Sequence, residues 1–191
     1  QGKCNQELSR YLGRFAVPPR GDRLEQTSHY HHNDQHPKRR GRRRVIRKAL
    51  MTDLAAIFEL GKRIHEKSDD RDIKLDEVVT KTRVAGLIGS TSGYVIVDEV
   101  EGEITGVLIG MSDELFFSRH RYAIPLIAYA ERRGAFVWMV KRFVKWALEA
   151  RHVKQIILDT SFGGELGMKT ESIYNRLGYP KVGSTFIVRA A

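Results

Sequence analysis

Cysteine is almost absent from this 191-residue chain: Cys4 stands alone. A single thiol excludes an internal disulfide and a cysteine-based zinc site, and it suits a reducing compartment. Long apolar runs are missing too. No stretch approaches the roughly 18 to 20 consecutive apolar residues that a membrane span requires. The N-terminus is polar, which reads as no secretory signal, so a cytoplasmic protein is expected rather than a secreted or membrane-embedded one. There are only five prolines, and no internal repeat is visible. A chain that is 41% hydrophobic and 29% charged has the balance of a globular domain with a buried core.

Positive charge is plentiful but unevenly placed. Residues 1–44 hold 11 Lys/Arg against 4 Asp/Glu, a net of +7, whereas the remaining residues hold 22 against 19, a net of +3. The excess therefore belongs to an N-terminal arm, in which His29, His31, His32 and His36 precede the run Lys38-Arg39-Arg40-Gly41-Arg42-Arg43-Arg44. Such a block repels itself, buries almost nothing and reads as a disordered tail. Two functions suit it. Residues 38–44 could neutralise the phosphates of nucleic acid or another polyanion, in a salt-sensitive and sequence-independent way. The histidines could take a metal, but they lack a ligand spacing, so no metal site is assigned. The chain divides on this basis into an arm, 1–44, and a domain, 45–191.

From Val45 the pattern is that of a mixed α/β (α+β) domain, with a central mixed β-sheet flanked by helices. Val45–Lys48 reads as a strand. Thr52 or Asp53 is placed to cap a helix whose apolar residues Leu54, Ile57, Phe58 and Ile64 recur with a 3.6 period. A second helix is expected over Leu75–Ile88, with Val78, Val79, Leu87 and Ile88 on its apolar side. Gly89 to Gly93 is turn chemistry. Tyr94–Val97 and Ile104–Met111 form a hairpin around an acidic turn from Asp98 to Glu103. A strand over Leu126–Ala130 follows, with Pro125 at its start or at a break in pairing. Glu131-Arg132-Arg133-Gly134 opens a long helix to Arg151. Gln155–Asp159 reads as a buried strand joined by a right-handed crossover. A short helix from Thr170 or Glu171 ends at Leu177-Gly178, and Lys181–Arg189 has strand character.

This order, with Arg133-Gly134 after the fourth strand and Ser172-Ile173-Tyr174-Asn175-Arg176-Leu177-Gly178-Tyr179 near the end, resembles the GNAT superfamily of N-acetyltransferases. Further features are similar to GNAT proteins encoded by tailed bacteriophages: His65-Glu66 with Ser68, Phe116-Phe117-Ser118, and Gly178-Tyr179 through Val182-Gly183 to Phe186. The resemblance covers about residues 45–189.

It implies direct acyl transfer from acetyl-CoA to a primary amine of unknown identity. It also implies a fourth strand splayed from the fifth, with the pantetheine in the gap against the main chain of Ile127, Ala128 and Ala130. The pyrophosphate would rest on the N–H groups of Arg133, Gly134, Ala135 and Phe136, where a helix start concentrates unpaired donors. Tyr174 matches the residue that protonates the departing thiolate, and Glu131 is the candidate general base.

The family's phosphate loop, Q/R-x-x-G-x-G/A, is only partly kept. Phe136 and Trp138 stand where small residues are usual, and bulk there limits how closely phosphate approaches. Arg132 and Arg133 are candidates to compensate by pairing phosphate directly. Three readings stay open: an active N-acetyltransferase, a GNAT-shaped binding or virion-associated protein without turnover, and a nucleic-acid binder acting through the arm.

Overall fold

The computed structural model describes residues 43–149, 153–160 and 164–183. The basic run up to Arg42, the histidines of the arm and the expected final strand beyond Gly183 lie outside these residues. Ten elements follow one another: β1 (Arg44–Lys48), a 3-10 turn (Met51–Asp53), α1 (Leu54–His65), α2 (Glu77–Gly89), β2 (Gly93–Val100), β3 (Glu103–Glu114), β4 (Arg121–Ala130), α3 (Ala135–Glu149), β5 (Val153–Ile156) and α4 (Gly164–Arg176). The strands form one sheet in the order β1-β2-β3-β4-β5. The first three pairings are antiparallel and β4 with β5 is parallel, as a connection through a helix requires.

Alternation along the strands supplies both faces of the sheet with apolar side chains. Val95, Val97, Val107 and Ile109 pack beneath α1 and α2, with Ile57, Leu60, Ile64 and Val84. Their neighbours Ile96 and Leu108 face the opposite way, joining Ala123 and the α3 residues Met139, Val140, Phe143 and Ala147. Gly110 is what lets α3 lie so close. A Cβ there would stand 2.4 Å from Phe143 Cε2. No helix among the described residues is long and apolar enough to cross a membrane.

Several boundaries differ from the sequence expectation, each for a physical reason. Asp53 does not cap α1 forward. Its carboxylate reaches back to accept from Leu50 N at 2.7 Å and from Arg47 Nη1 at 2.6 Å. Val78 and Val79 are exposed, and α2 buries Val84 instead, so the buried stripe runs one step round the helix from the valine pair. Asp98 lies inside β2, wholly buried, and the hairpin turns at Glu101-Gly102 with φ of 55° and 91°. Positive φ at both turn residues matches the twist of tightly joined strands. β4 begins at Arg121, five residues earlier than expected. β5 stops at Ile156, and Ile157 is 39% exposed rather than buried. α4 starts at Gly164, well before Thr170, and Lys181–Gly183 is irregular.

Candidate functional site

Pro125 sits inside β4 and marks where the sheet opens. The β3–β4 register shifts between Ile109 and Gly110, and Gly110 pairs with Pro125. On the other edge, the carbonyl of Ala123 accepts from Ile157 N at 2.9 Å. Backbone polar groups alternate between the two edges of a strand, so Pro125 turns its missing donor to the β5 side, where no ladder bond is lost. Parallel pairing covers only Arg121↔Val153, Tyr122↔Gln155 and Ala123↔Ile156. From Ile124 onward β4 pairs with β3 alone among the described strands. The two strands are joined at one end and parted at the other.

Along the parted edge, Glu131 N donates to Thr105 O at 2.9 Å, towards β3. Counting back by alternation turns the backbone of Tyr129 and Ile127 towards β3 as well, and the backbone of Ala130 and Ala128 to the opening. Two of the three expected strand positions therefore face the gap, and Ile127 does not.

At the far end the chain turns through Arg132–Gly134 into α3. Gly134 has φ of 83°, where a side chain would be strained, and a Cβ there would meet no atom within 4 Å. The space over the turn is open. Ala135 N donates to Arg132 O at 3.1 Å, and Trp138 N donates to Gly134 O at 3.2 Å. The N–H groups of Arg133, Gly134, Phe136 and Val137 have no acceptor among the described residues. Three of the four expected anion-binding donors are thus free. Ala135 is engaged, and Val137 joins the set. Free N–H groups at a helix start, in the positive end of its dipole, suit an anion.

The two bulky residues behave differently. Trp138 is 62% exposed, with Lys141 Nζ 6.0 Å from its ring centroid, so it turns away from the core. Phe136 is half-buried, and its ring centroid lies 6.2 Å from that of Tyr174. The first residues of α3 are in this way tied to α4.

Tyr174 is only 7% exposed. Its hydroxyl donates to Asp159 O, just beyond β5, at 3.4 Å. Burial, reinforced by the negative charge of Asp159 and by Tyr179, pushes its pKa up to about 12. The phenol is held as a proton donor beside the end of the strand that parts from β4.

The charged candidates are distributed otherwise than expected. The Arg132 guanidinium is committed to Asp98, with Nε donating to Oδ2 at 2.9 Å and Nη2 to Oδ1. It therefore does not stand ready for phosphate, whereas Arg133 is exposed. The Glu131 carboxylate is paired with Arg63 of α1 at 3.2 Å. His65 has its Nε2 2.7 Å from the carbonyl of Ile73; since that oxygen only accepts, Nε2 carries the proton, and the ring braces the α1–α2 connection. Asp113 and Glu114 lie exposed at the end of β3. Among the described residues, no group of three or more His, Cys, Asp or Glu could hold a metal. A depression of about 530 Å³ on the outer side of α4, lined by Met168, Glu171 and Asn175, contains none of these candidates.

Asp98 escaped sequence reasoning because an acid beside a glycine turn reads as part of that turn. The signal was there: the alternation that sends Val95 and Val97 to one face puts Asp98 with Ile96 on the other.

No protein-family model matches the sequence, and a search of curated proteins finds no match. Solved structures do match. A predicted acetyltransferase with acetyl-CoA from Clostridium acetobutylicum superposes with a TM-score of 0.60 at 17% identity, over 77% of this chain and 96% of that one. The aminoglycoside N-acetyltransferase AAC(6')-Iy in complex with CoA gives 0.58 at 11% identity, over 80% and 97%. An acetyltransferase of the GNAT family from Streptococcus pneumoniae gives 0.58 at 17%, over 71% and 83%. The chain therefore has the fold of the GNAT acetyltransferases.

Proposed function

We propose that this protein is an N-acetyltransferase that moves an acetyl group from acetyl-CoA to a primary amine. One observation carries the reading. β4 and β5 part after Ala123, and the opening runs past the free backbone of Ala128 and Ala130 to the unpaired N–H groups at the start of α3. An extended amide-bearing chain ending in a diphosphate fits that sequence of groups: amides against a strand edge, anion against a helix start. Solved structures of the same fold with CoA and with acetyl-CoA support it.

Acetyl-CoA supplies the activated acyl group; the chain supplies placement and a proton. The amine nitrogen forms a bond to the thioester carbonyl carbon and the carbon–sulfur bond breaks. Tyr174 gives its proton to the leaving sulfur, and the proton that the nitrogen sheds as the amide forms restores the phenol by way of solvent. A phenol whose pKa is raised to about 12 stays protonated at neutral pH and yields its proton only as thiolate charge develops beside it. Glu131 is not assigned the base role, because Arg63 holds its carboxylate. The ammonium proton leaves to solvent.

Thiol release with a panel of amines tests this. Tyr174→Phe should lower kcat about 100-fold, the usual scale for losing a general acid. An unchanged rate removes Tyr174 from the chemistry. Glu131→Gln should change kcat less than about threefold, since its side chain takes no part in the proton path. A larger loss returns it to the site.

A second reading is favoured by Phe136, which stands where the fold's phosphate loop usually has a small residue. It is a GNAT-shaped binding protein without turnover, in which acyl-CoA binding is weakened or lost. A folded protein that gives neither detectable heat with acetyl-CoA nor thiol release for any amine would support it.

A further inference from the structure

Among the described residues, the ion pair between Asp98 and Arg132 is the charge contact beside the turn into α3 that has a buried partner. Asp98 is 0% exposed. It accepts two bonds from Arg132 and one from Thr105 Oγ1 at 3.2 Å. Burying a carboxylate is costly, and an apolar residue of similar size is often at least as good for stability. Stability alone therefore does not account for it. What the pair does is mechanical. Asp98 on β2 pairs with Gly106 on β3, and Gly106 pairs with Ala130 on β4. Arg132 lies two residues beyond Ala130, so its side chain reaches back over β3. A Cβ on Gly106 would stand 3.1 Å from Asp98 Cβ and 3.0 Å from Ala130 Cβ, and the bare position leaves that path clear.

We propose that Asp98 is a positioning residue which, through Arg132, braces the turn so that the N–H groups of Gly134, Phe136 and Val137 are preset for the diphosphate of acyl-CoA. The inference rests on the acyl-CoA reading above. Among the described residues, backbone bonds hold the turn at Glu131 N to Thr105 O, Ala135 N to Arg132 O and Trp138 N to Gly134 O, and side chains hold it through the exposed Glu131–Arg63 pair and the buried Arg132–Asp98 pair. Of the two side-chain ties, the buried one is the stiffer and is the one put to substitution. Donors held in place before the anion arrives bind it more tightly, because the ordering cost has already been met in folding. The brace also explains why Arg132, next to the anion site, is not itself an anion ligand.

The test is titration of CoA, followed by calorimetry, into the full chain and into Asp98→Asn, Arg132→Gln and the double variant. Pantetheine, which lacks the diphosphate, is titrated in parallel by NMR. Each single variant should raise Kd for CoA about tenfold or more, and the double should be no worse than the weaker single, as for two parts of one device. Pantetheine affinity should stay within about twofold, a selectivity that a general loss of structure does not produce. Unchanged CoA affinity in Asp98→Asn overturns the proposal. So does weakening by Arg132→Gln alone, which would make Arg132 a direct phosphate ligand, and so does equal loss of CoA and pantetheine. If Arg132→Gln leaves Asp98 unpaired and fails to fold, the double variant, neutral at both positions, carries the comparison. Failure of the unaltered protein to bind CoA defeats the acyl-CoA reading as well, whereas binding that ignores the variants defeats only the brace.

Discussion

Tyr174 keeps its proton because burial denies water to the phenolate, and that has a consequence for stability as well as for the proposed proton transfer. A free tyrosine titrates near 10, and in the folded chain Tyr174 is pushed up to about 12. The folded state therefore holds this proton more tightly than the unfolded one. Its contribution is fully present below pH 10 and is lost as pH rises from 10 to 12. Two units correspond to at most about 3 kcal/mol. Denaturant melts at pH 8 and pH 11.5 should show a smaller alkaline loss in Tyr174→Phe than in the unaltered chain; equal losses would contradict the burial account. Asp53 runs the opposite way. Its bonds from Arg47, ahead of that from Leu50 N, hold its pKa below the usual carboxylate range. That stability is present above about pH 4 and disappears as pH falls further. Asp53→Ala should cost about 1 to 3 kcal/mol at pH 7, since it leaves the Leu50 N–H without its acceptor and takes two bonds from the Arg47 guanidinium, which keeps only Glu99 and Lys48 O. Tyr174 was marked in the sequence only through the family resemblance that Ser172–Tyr179 carries; its burial and its bond to Asp159 O come from the fold. Asp53 was legible as a helix-start residue but not in its direction, which depends on Arg47 arriving from β1. For Asp98 the strand alternation carried its face, but not its partner Arg132, which lies 34 residues away.

Among the elements, the strands were easiest to foresee where β-branched residues cluster, as in Val95-Ile96-Val97, and hardest where pairing decides. Nothing local distinguishes Arg121–Ile124 from a loop; the ladder with Met111–Glu114 makes it strand. Likewise, α2 carries Val78 and Val79 towards solvent, because its rotation is set by Val84 packing under α1 and not by the number of apolar residues on a side. The opening between β4 and β5 was expected only through a family resemblance. Its physical cause, a proline opposite Gly110 at a register shift, appears only once the strands are paired. Gly110 itself sets the spacing of α3 on the sheet. Gly110→Ala would drive a methyl into the Phe143 ring and should cost about 1 to 3 kcal/mol by thermal or denaturant unfolding. A neutral result would mean that α3 can lift without loss.

For the whole molecule, charge and the paired strands lie largely in different parts of the chain. Residues 45–191 are nearly neutral, while residues 1–44 hold 11 of the 33 Lys/Arg. The fold supplies a strand edge and a helix start turned towards one opening, an arrangement suited to a long, anionic-ended thioester. All of this stands on the gap beyond Ala123 admitting that ligand. The most direct measurement is a calorimetric titration of acetyl-CoA into the full chain, with folding verified beforehand by circular dichroism. Saturable binding at one site per chain, weakened when Gly134 is replaced by valine at its positive φ, is the expected result. A folded protein that gives no binding heat across several temperatures would contradict the account.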